Sequence, residues 1–376
     1  MKVLNVNMSI DPVSGGGTAE RTFQLSRTLA RLGIDCSLLT TDVGLTSERR
    51  AALSGVKLHA LSCLNRRFYI PAVSLTEIYR IVESVDIVHL MSHWTLINAL
   101  VYHAARKFNK PYVLCPAGEL VIYGRSKIFK RVFNYFVGKK ILKNANGYIT
   151  ITEKEIELFR HYMVDESKIT IIPNGINPDD FATYDNCYIR RKYKLGANPF
   201  VLFVGRLHPI KGPDLLLQAF ASLASEFPNY HLVFVGPDQG MLDELMKTAR
   251  KTGVDNRIHF IGYLGGEEKS MIYHAADILV IPSRQEAMSI VALEAGIAAT
   301  PVLLTDQCGF DEVAIVGGGE VVSATVKGIH YGLDNLLKQR SSFHDMGHCL
   351  QHYVSSNYTW DATAKQYIEL YQRLLS

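Results

Sequence analysis

Short runs of apolar and β-branched residues alternate along the whole chain with longer stretches whose apolar positions recur every three or four residues. In the first half, runs at 2–8, 36–41, 56–60, 86–91, 111–115, 147–152 and 169–172 read as strands. Helical patterns lie between most of them, including Thr18–Leu32 and Thr95–Phe108. The second half repeats the arrangement, with strands at 200–205, 231–236, 258–262, 277–281, 301–305 and 319–323. Helices near 212–226, 240–252, 266–275, 289–299 and 325–340 separate them. Alternation of this kind means parallel sheets covered on both faces. Two such series predict an α/β protein of two doubly wound, Rossmann-like domains, each with a crevice at the carboxyl ends of its strands.

Turn chemistry marks the boundary. Pro173-Asn-Gly-Ile-Asn-Pro-Asp-Asp180 cannot continue a strand or a helix, and a polar stretch from Tyr184 to Asn198 follows it. The expected division is an N-terminal domain over 1–173, a linker over 174–197 and a C-terminal domain over 198–355. Residues 356–376 are expected to form a last helix near the interdomain region, with Ala364, Tyr367, Ile368, Tyr371 and Leu374/Leu375 on its apolar side. Neither a 20–50-residue repeat nor a low-complexity segment interrupts the pattern.

Composition narrows the class. A chain of 376 residues is too long for one ordinary core, and 48% hydrophobic with 20% charged residues is the balance of a folded globular protein. The absence of an apolar run of about 18 residues argues against a spanning helix. Met1-Lys-Val-Leu-Asn-Val-Asn reads as a first strand rather than a signal peptide, so a cytoplasmic location is expected, with peripheral contact at the inner face of a membrane as an option. Six scattered cysteines lack metal spacing and read as reduced thiols.

The charge is uneven. Residues 1–180 hold 23 Lys and Arg against 16 Asp and Glu, a net of +7, and residues 181–376 hold 17 against 20, a net of −3. The excess concentrates at 120–152, which contains no acid but Arg125, Lys127, Lys130, Arg131, Lys139, Lys140 and Lys143. Apolar pairs recur there at Ile128/Phe129, Val132/Phe133, Phe136/Val137 and Ile141/Leu142. Two readings are open: a core-facing stripe with a solvated outer face, the commoner arrangement, or a basic amphipathic helix resting on anionic lipid. No nucleic-acid motif accompanies the charge.

The densest candidate chemistry lies in the second half. Glu286 and Glu294, in Pro282-Ser-Arg-Gln-Glu-Ala-Met-Ser-Ile-Val-Ala-Leu-Glu294, fall on a strand-to-helix loop and about a turn into the helix. Carboxylates beside a helix N-terminus suit an anionic ligand that also carries hydroxyls. Val204-Gly-Arg206-Leu-His-Pro-Ile-Lys211-Gly212 also starts where a strand ends, and Arg206 and Lys211 can converge on a diphosphate. In the first half, Gly15-Gly16-Gly17 opens the first helix, as a phosphate turn or an ordinary tight turn. His89 alternates within a strand and reads as a packed core residue, whereas His93 lies past the strand and is the better ligand candidate.

Taken together, Gly205-Arg-Leu-His-Pro-Ile-Lys211-Gly, the Glu286/Glu294 spacing, Pro301-Val-Leu-Leu-Thr-Asp306 and Ile172-Pro-Asn-Gly175 resemble the retaining glycosyltransferases of family 4, which have the GT-B fold with an interdomain cleft. The resemblance covers essentially the whole chain. It implies that Arg206 and Lys211 bind the donor diphosphate, Glu294 the ribose and Glu286 the transferred sugar. It gives Met288, Ser289 and Ile290 the role of backbone donors to phosphate, and brings Gly16 and Gly17 to the donor or acceptor. The acceptor would lie on the first domain, near His93, Glu119 and Arg125. Two positions depart from the family pattern: Ala287-Met-Ser-Ile290 replaces Gly-Phe-Gly-Leu, and Ala117 stands where many relatives have a histidine at the donor sugar. His93 or Glu119 takes that role, or the donor does not need it, or activity is reduced.

The expected function is transfer of a hexose, with retention, from a nucleotide diphosphate sugar to an acceptor hydroxyl in polysaccharide, glycolipid or other glycoconjugate synthesis. No metal or cofactor is expected, because Arg206 and Lys211 neutralise the leaving group. A nucleotide-sugar epimerase, a non-catalytic nucleotide-sugar-binding partner and a sugar-phosphate synthase share the same donor pocket and stay open. The expected partners are the donor, a sugar or lipid-linked saccharide acceptor and anionic membrane, without nucleic acid.

Overall fold

A computed structural model describes residues 1–11, 13, 15–120, 127–182 and 185–376. They form two compact units, Met1–Asn174 with Trp360–Ser376, and Gly175–Thr359.

The strands of the first unit are β1 (Lys2–Val6), β2 (Asp35–Thr41), β3 (Lys57–Leu61), β4 (Cys63–Asn65), β5 (Ile70–Pro71), β6 (Ile87–Met91), β7 (Tyr112–Cys115), β8 (Gly147–Thr150) and β9 (Ile169–Ile171). Seven of them form one parallel sheet in the order β3-β2-β1-β6-β7-β8-β9, while β4 and β5 pair as an antiparallel hairpin. Every second residue faces one side, so each strand feeds two cores. Val88, Leu90, Tyr112 and Leu114 pack with Ile78, Ile97 and Val101. Ile87, Met91, Val113 and Cys115 pack with Leu25, Leu29, Trp360 and Tyr367. Strand order reverses between β1 and β6, which opens a crevice beyond their carboxyl ends.

The helix Trp360–Leu375 completes the second of those cores. It is fastened by Arg21, a fully buried guanidinium on the helix Gly16–Arg31. Arg21 Nε donates to the Tyr367 hydroxyl at 2.9 Å and Nη2 to the Ile172 carbonyl at 2.7 Å, and Nη1 donates to Asn174 Oδ1. The Tyr371 hydroxyl lies 2.8 Å from His89 Nδ1, so His89 is a packed core residue.

In the second unit, β10 (Phe200–Val204), β11 (His231–Val235), β12 (Ile258–Gly262), β13 (Ile278–Ile281), β14 (Val302–Thr305) and β15 (Gly319–Val322) form a parallel sheet in the order β12-β11-β10-β13-β14-β15. The reversal falls between β10 and β13. One face buries Val201, Phe203, Phe234 and Val280 under Leu216, Phe220 and Leu333. Residues 174–197, expected as a linker, contain the turn Pro178–Phe181 and the helix Asn186–Lys192, and apart from Asn174 they lie in the second unit. Arg190 Nη2 donates to the Ala275 carbonyl at 2.6 Å and Asn186 Nδ2 to the His274 carbonyl at 3.1 Å, so this polar stretch packs as structure.

Elements the sequence pattern missed include the β4–β5 hairpin, the short helix Glu312–Ile315, the helix Phe343–Asn357 and a π-turn over Asn134–Gly138. The apolar stripe of 128–142 also divides. Phe133, Val137, Ile141 and Leu142 face the core, whereas Ile128, Phe129, Val132 and Phe136 are exposed. Among the described residues, no helix is long and apolar enough to cross a membrane.

Candidate active site

The sharpest gathering of charge sits where the second sheet reverses. β10 ends into Gly205-Arg206 and β13 ends into Pro282–Glu286, so two loops from adjacent strands meet at a topological switch point, the usual ligand position in open α/β sheets. Lys211 Nζ lies 2.8 Å from Glu286 Oε1, and the same oxygen accepts a short hydrogen bond from Ser283 Oγ. Arg206, half-buried, donates to Gln239 Oε1 at 3.2 Å. Burial draws its guanidinium below the ordinary value, and the nearby Glu286 carboxylate opposes that shift. Two cations and one carboxylate therefore share this site.

The loops are locked together. Arg284 Nη1 and Nη2 donate to Asp214 Oδ1 and Oδ2 at 2.9 and 2.6 Å, a bidentate fork. The Arg284 backbone N–H donates to the Ile210 carbonyl at 2.8 Å. Gly212 has φ +67°, and a Cβ there would stand 2.0 Å from the Pro282 carbonyl oxygen, so only glycine permits the approach. Gly309, at φ +63°, similarly passes the Ala287 carbonyl. These contacts fix Lys211 against Glu286.

Past Glu286 the chain turns into the helix Ile290–Ile297. Ser289 stands at its N-cap, yet its side chain makes no capping bond, and its buried hydroxyl has no hydrogen-bond partner among the described residues. A helix start that leaves its N–H groups to outside acceptors favours an anion. Met288 is buried and Ile290 half-buried. Glu294 is 4% exposed and faces the helix Gly266–Ala275, where Oε2 accepts from the Tyr273 hydroxyl at 2.6 Å and Oε1 pairs with Lys269 Nζ. Burial and the Glu294 charge raise the Tyr273 phenol well above its ordinary value, so it remains a donor. The two glutamates thus occupy separate polar sites, one on the loop and one in the helix.

In the first unit, Glu119 collects the residues after β6. Its Oε2 accepts from the His93 N–H and its Oε1 from Ser92 Oγ, each at 3.1 Å. Desolvation holds the carboxyl above the usual range, opposed by those bonds and by Lys130. His93 is buried; Nε2 lies 3.2 Å from Asn134 Oδ1, and Nδ1 lacks a partner among the described residues. Burial pulls its imidazole down to about 4, so the ring is neutral near neutrality. Ala117 and Gly118 take φ +51° and +81°, a kink that carries Glu119 back toward β6. Gly16 and Gly17 start the first helix after β1 and have no side chain to cap it. Arg125 lies outside the described residues. Among those residues, no three His, Cys, Asp or Glu side chains gather as a metal-binding group.

Sequence reasoning brought Lys211, Arg206 and Glu286 to one place but missed Arg284–Asp214, Ser283 and the Lys269–Tyr273 pair around Glu294. Ser283 and Arg284 lie inside the segment Pro282–Glu294 singled out for chemistry and Asp214 two residues past Val204–Gly212, which was the available signal.

Two doubly wound units with ligand-type clusters at their switch points define a protein of the GT-B fold, and solved structures agree. Anabaena HepE in complex with UDP-glucose superposes with a TM-score of 0.83 at 17% identity, covering 99% of this chain and 100% of that one. Residues 188–349 match the family described as Glycosyl transferases group 1, and residues 15–180 match Glycosyltransferase Family 4. The chain belongs to family 4 of the glycosyltransferases. A D-inositol 3-phosphate glycosyltransferase of Actinosynnema mirum is 35% identical over 175 residues, which are 44% of this chain and 42% of that relative's length. An uncharacterized glycosyltransferase of Methanocaldococcus jannaschii is 26% identical over 99% of this chain and 98% of its own.

Proposed function

We propose that this protein transfers a hexose from a nucleotide diphosphate sugar to an acceptor hydroxyl with retention at the anomeric carbon. The observation that carries the reading is the Lys211–Glu286 contact at 2.8 Å, with Arg206 beside it, on locked loops at the switch point of the second sheet. When the anomeric carbon–oxygen bond breaks, negative charge collects on the diphosphate. Lys211, Arg206 and the N-terminal end of the helix Ile290–Ile297 stabilise it, while the Ser289 N–H stays with the Cys308 carbonyl at 2.9 Å. Lys211 then exchanges part of its pairing with Glu286 for the phosphate, which turns the Glu286 carboxylate to the sugar hydroxyls. Glu294 keeps acceptor capacity for a ribose hydroxyl beside Lys269 and Tyr273, since a carboxylate oxygen accepts more than one bond. The acceptor oxygen attacks on the face the diphosphate leaves, and its proton passes to the departing phosphate oxygen. Gly16 and Gly17 offer backbone N–H groups to an anion. His93 and Glu119 form the acceptor side: the His93 backbone N–H donates to Glu119, and its buried ring has no partner at Nδ1 among the described residues. The UDP-glucose held by HepE supports a UDP-sugar as the first donor to try.

The test is a thermal-shift screen against UDP-, GDP-, ADP- and dTDP-sugars, followed by incubation of the stabilising donor with an acceptor panel. A raised Tm and sugar covalently bound to a second molecule are expected. An altered sugar configuration within the free nucleotide sugar would show an epimerase, and stabilisation without turnover would show a binding partner; either result replaces the transferase reading.

A further inference from the structure

The segment Lys127–Lys143 carries a surface that the transfer chemistry does not use. It runs as α-helix over Lys127–Phe133, as a π-turn over Asn134–Gly138 and as α-helix over Lys139–Lys143. The π-turn adds a residue to the turn and points the Asn134 amide inward, with Oδ1 toward His93 and Nδ2 donating to the Tyr162 hydroxyl at 3.2 Å. The outward side is not the polar face of an ordinary surface helix. Ile128 is 78% exposed, Phe129 50%, Val132 46%, Tyr135 79% and Phe136 66%. The β4–β5 hairpin extends this surface: the Phe68 ring lies 5.6 Å from that of Phe129, and Leu64, Arg66 and Arg67 are exposed beside it. A contiguous apolar patch of this kind marks an interaction site.

Charge identifies the occupant. Lys127, Arg131, Lys139, Lys140 and Lys143 are exposed, and no acidic residue occurs between Glu119 and Glu153 or between Glu48 and Glu77. Protein–protein interfaces are depleted in lysine at their centres, whereas this surface is rich in it. A second copy docked through the same face would set base against base. A bilayer with anionic headgroups accepts both components, with aromatic and aliphatic side chains at the acyl boundary and ammonium and guanidinium groups on the lipid phosphates.

We propose that the outer face of Lys127–Lys143 and the β4–β5 hairpin together dock the protein on an anionic lipid bilayer. The docking stands on this surface alone. Its use in presenting a lipid-linked acceptor rests on the transferase reading, because Asn134 joins the inner side of the same segment to His93.

The experiment is co-sedimentation of the full-length protein with vesicles of phosphatidylcholine alone or mixed with phosphatidylglycerol. Binding to the mixed vesicles only, released as salt rises toward about 0.5 M, is the expected result. The double variant Phe129→Ser/Phe136→Ser and the double variant Arg66→Glu/Arg67→Glu should each weaken that binding by about tenfold or more with an unchanged Tm. Absent binding, equal binding to both vesicle types, or wild-type binding by both double variants would overturn the proposal. So would a solution dimer that Phe129→Ser/Phe136→Ser disrupts. Vesicle binding without any nucleotide-sugar thermal shift would retire the transferase reading and leave the docking intact; the converse result would do the reverse.

Discussion

The Lys211 ammonium sits 2.8 Å from Glu286 Oε1, although the two residues come from loops after different strands and lie 75 positions apart. Side-chain exposures of 24% and 10% keep both within reach of a ligand while shielding them from bulk water. In the proposed donor complex a phosphate would take over Lys211 and a sugar hydroxyl Glu286. Removing one therefore takes away its neighbour's ion-pair partner.

Lys211→Ala should cut turnover with the donor that stabilises the wild type by about 10²–10³-fold, the usual loss on deleting one group that stabilises developing charge. Glu286→Ala should lose a similar amount, with an unchanged far-UV circular dichroism spectrum. Wild-type turnover by Lys211→Ala at low donor concentration would remove this residue from the donor site.

Arg284→Ala breaks the fork to Asp214 that holds the two loops in place. Because the pair is partly solvated, the stability cost is modest, about 1 kcal/mol. The larger effect falls on donor affinity, since Lys211 and Glu286 lose their fixed separation. A rise in donor KM of about tenfold, with only a small drop in Tm, separates this positioning role from a purely structural one.

Tyr367→Phe leaves the buried Arg21 guanidinium short of a hydrogen-bond acceptor. The expected cost is about 1–3 kcal/mol, read as faster hydrogen exchange along Trp360–Leu375 and a lower Tm. Unchanged exchange there would show that the hydroxyl is dispensable.

Burial places His89 at about 3 and His93 at about 4, below the ordinary imidazole value of 6.5. As pH falls, the unfolded chain takes up these protons first. The stability each ring contributes is complete above about pH 6.5 and declines toward those folded values. Glu119, with its raised value, acts in the opposite sense: its contribution is lost as pH rises through the folded value. Neither imidazole should titrate by NMR between about pH 5 and pH 8, and His93→Gln should flatten the acid side of the Tm profile. A ring titrating near 6.5 would contradict the buried placement.

The six strands of the second sheet and the seven of the first were legible because buried parallel strands are continuous apolar runs. β4 and β5 were not, because strands of three and two residues leave no period to read. In 128–142 the apolar pairs fit one helical stripe, but adjacent residues such as Val132 and Phe133 lie on opposite sides of its edge, and only packing decides which turns inward. The π-turn at Asn134 adds a shift that no spacing announces. At the site, Lys211 and Glu286 could be brought together because each lies on the loop that follows a strand, between that strand and the next α-helix. The partners of Glu294 could not: Lys269 and Tyr273 belong to another helix, 25 and 21 positions earlier, and meet it only through tertiary packing.

Arg21 and Tyr367 are separated by 346 positions. On a ribosome, the second unit is a continuous segment and is complete once Thr359 has emerged, whereas the first unit still awaits Trp360–Ser376. Until then the Arg21 guanidinium has no Tyr367 hydroxyl, and the face of the first sheet that receives Trp360 and Tyr367 stays uncovered. The unit whose synthesis begins first therefore finishes folding last, and a ribosome stalled short of Trp360 holds a nascent chain with exposed apolar sheet for chaperones to shield.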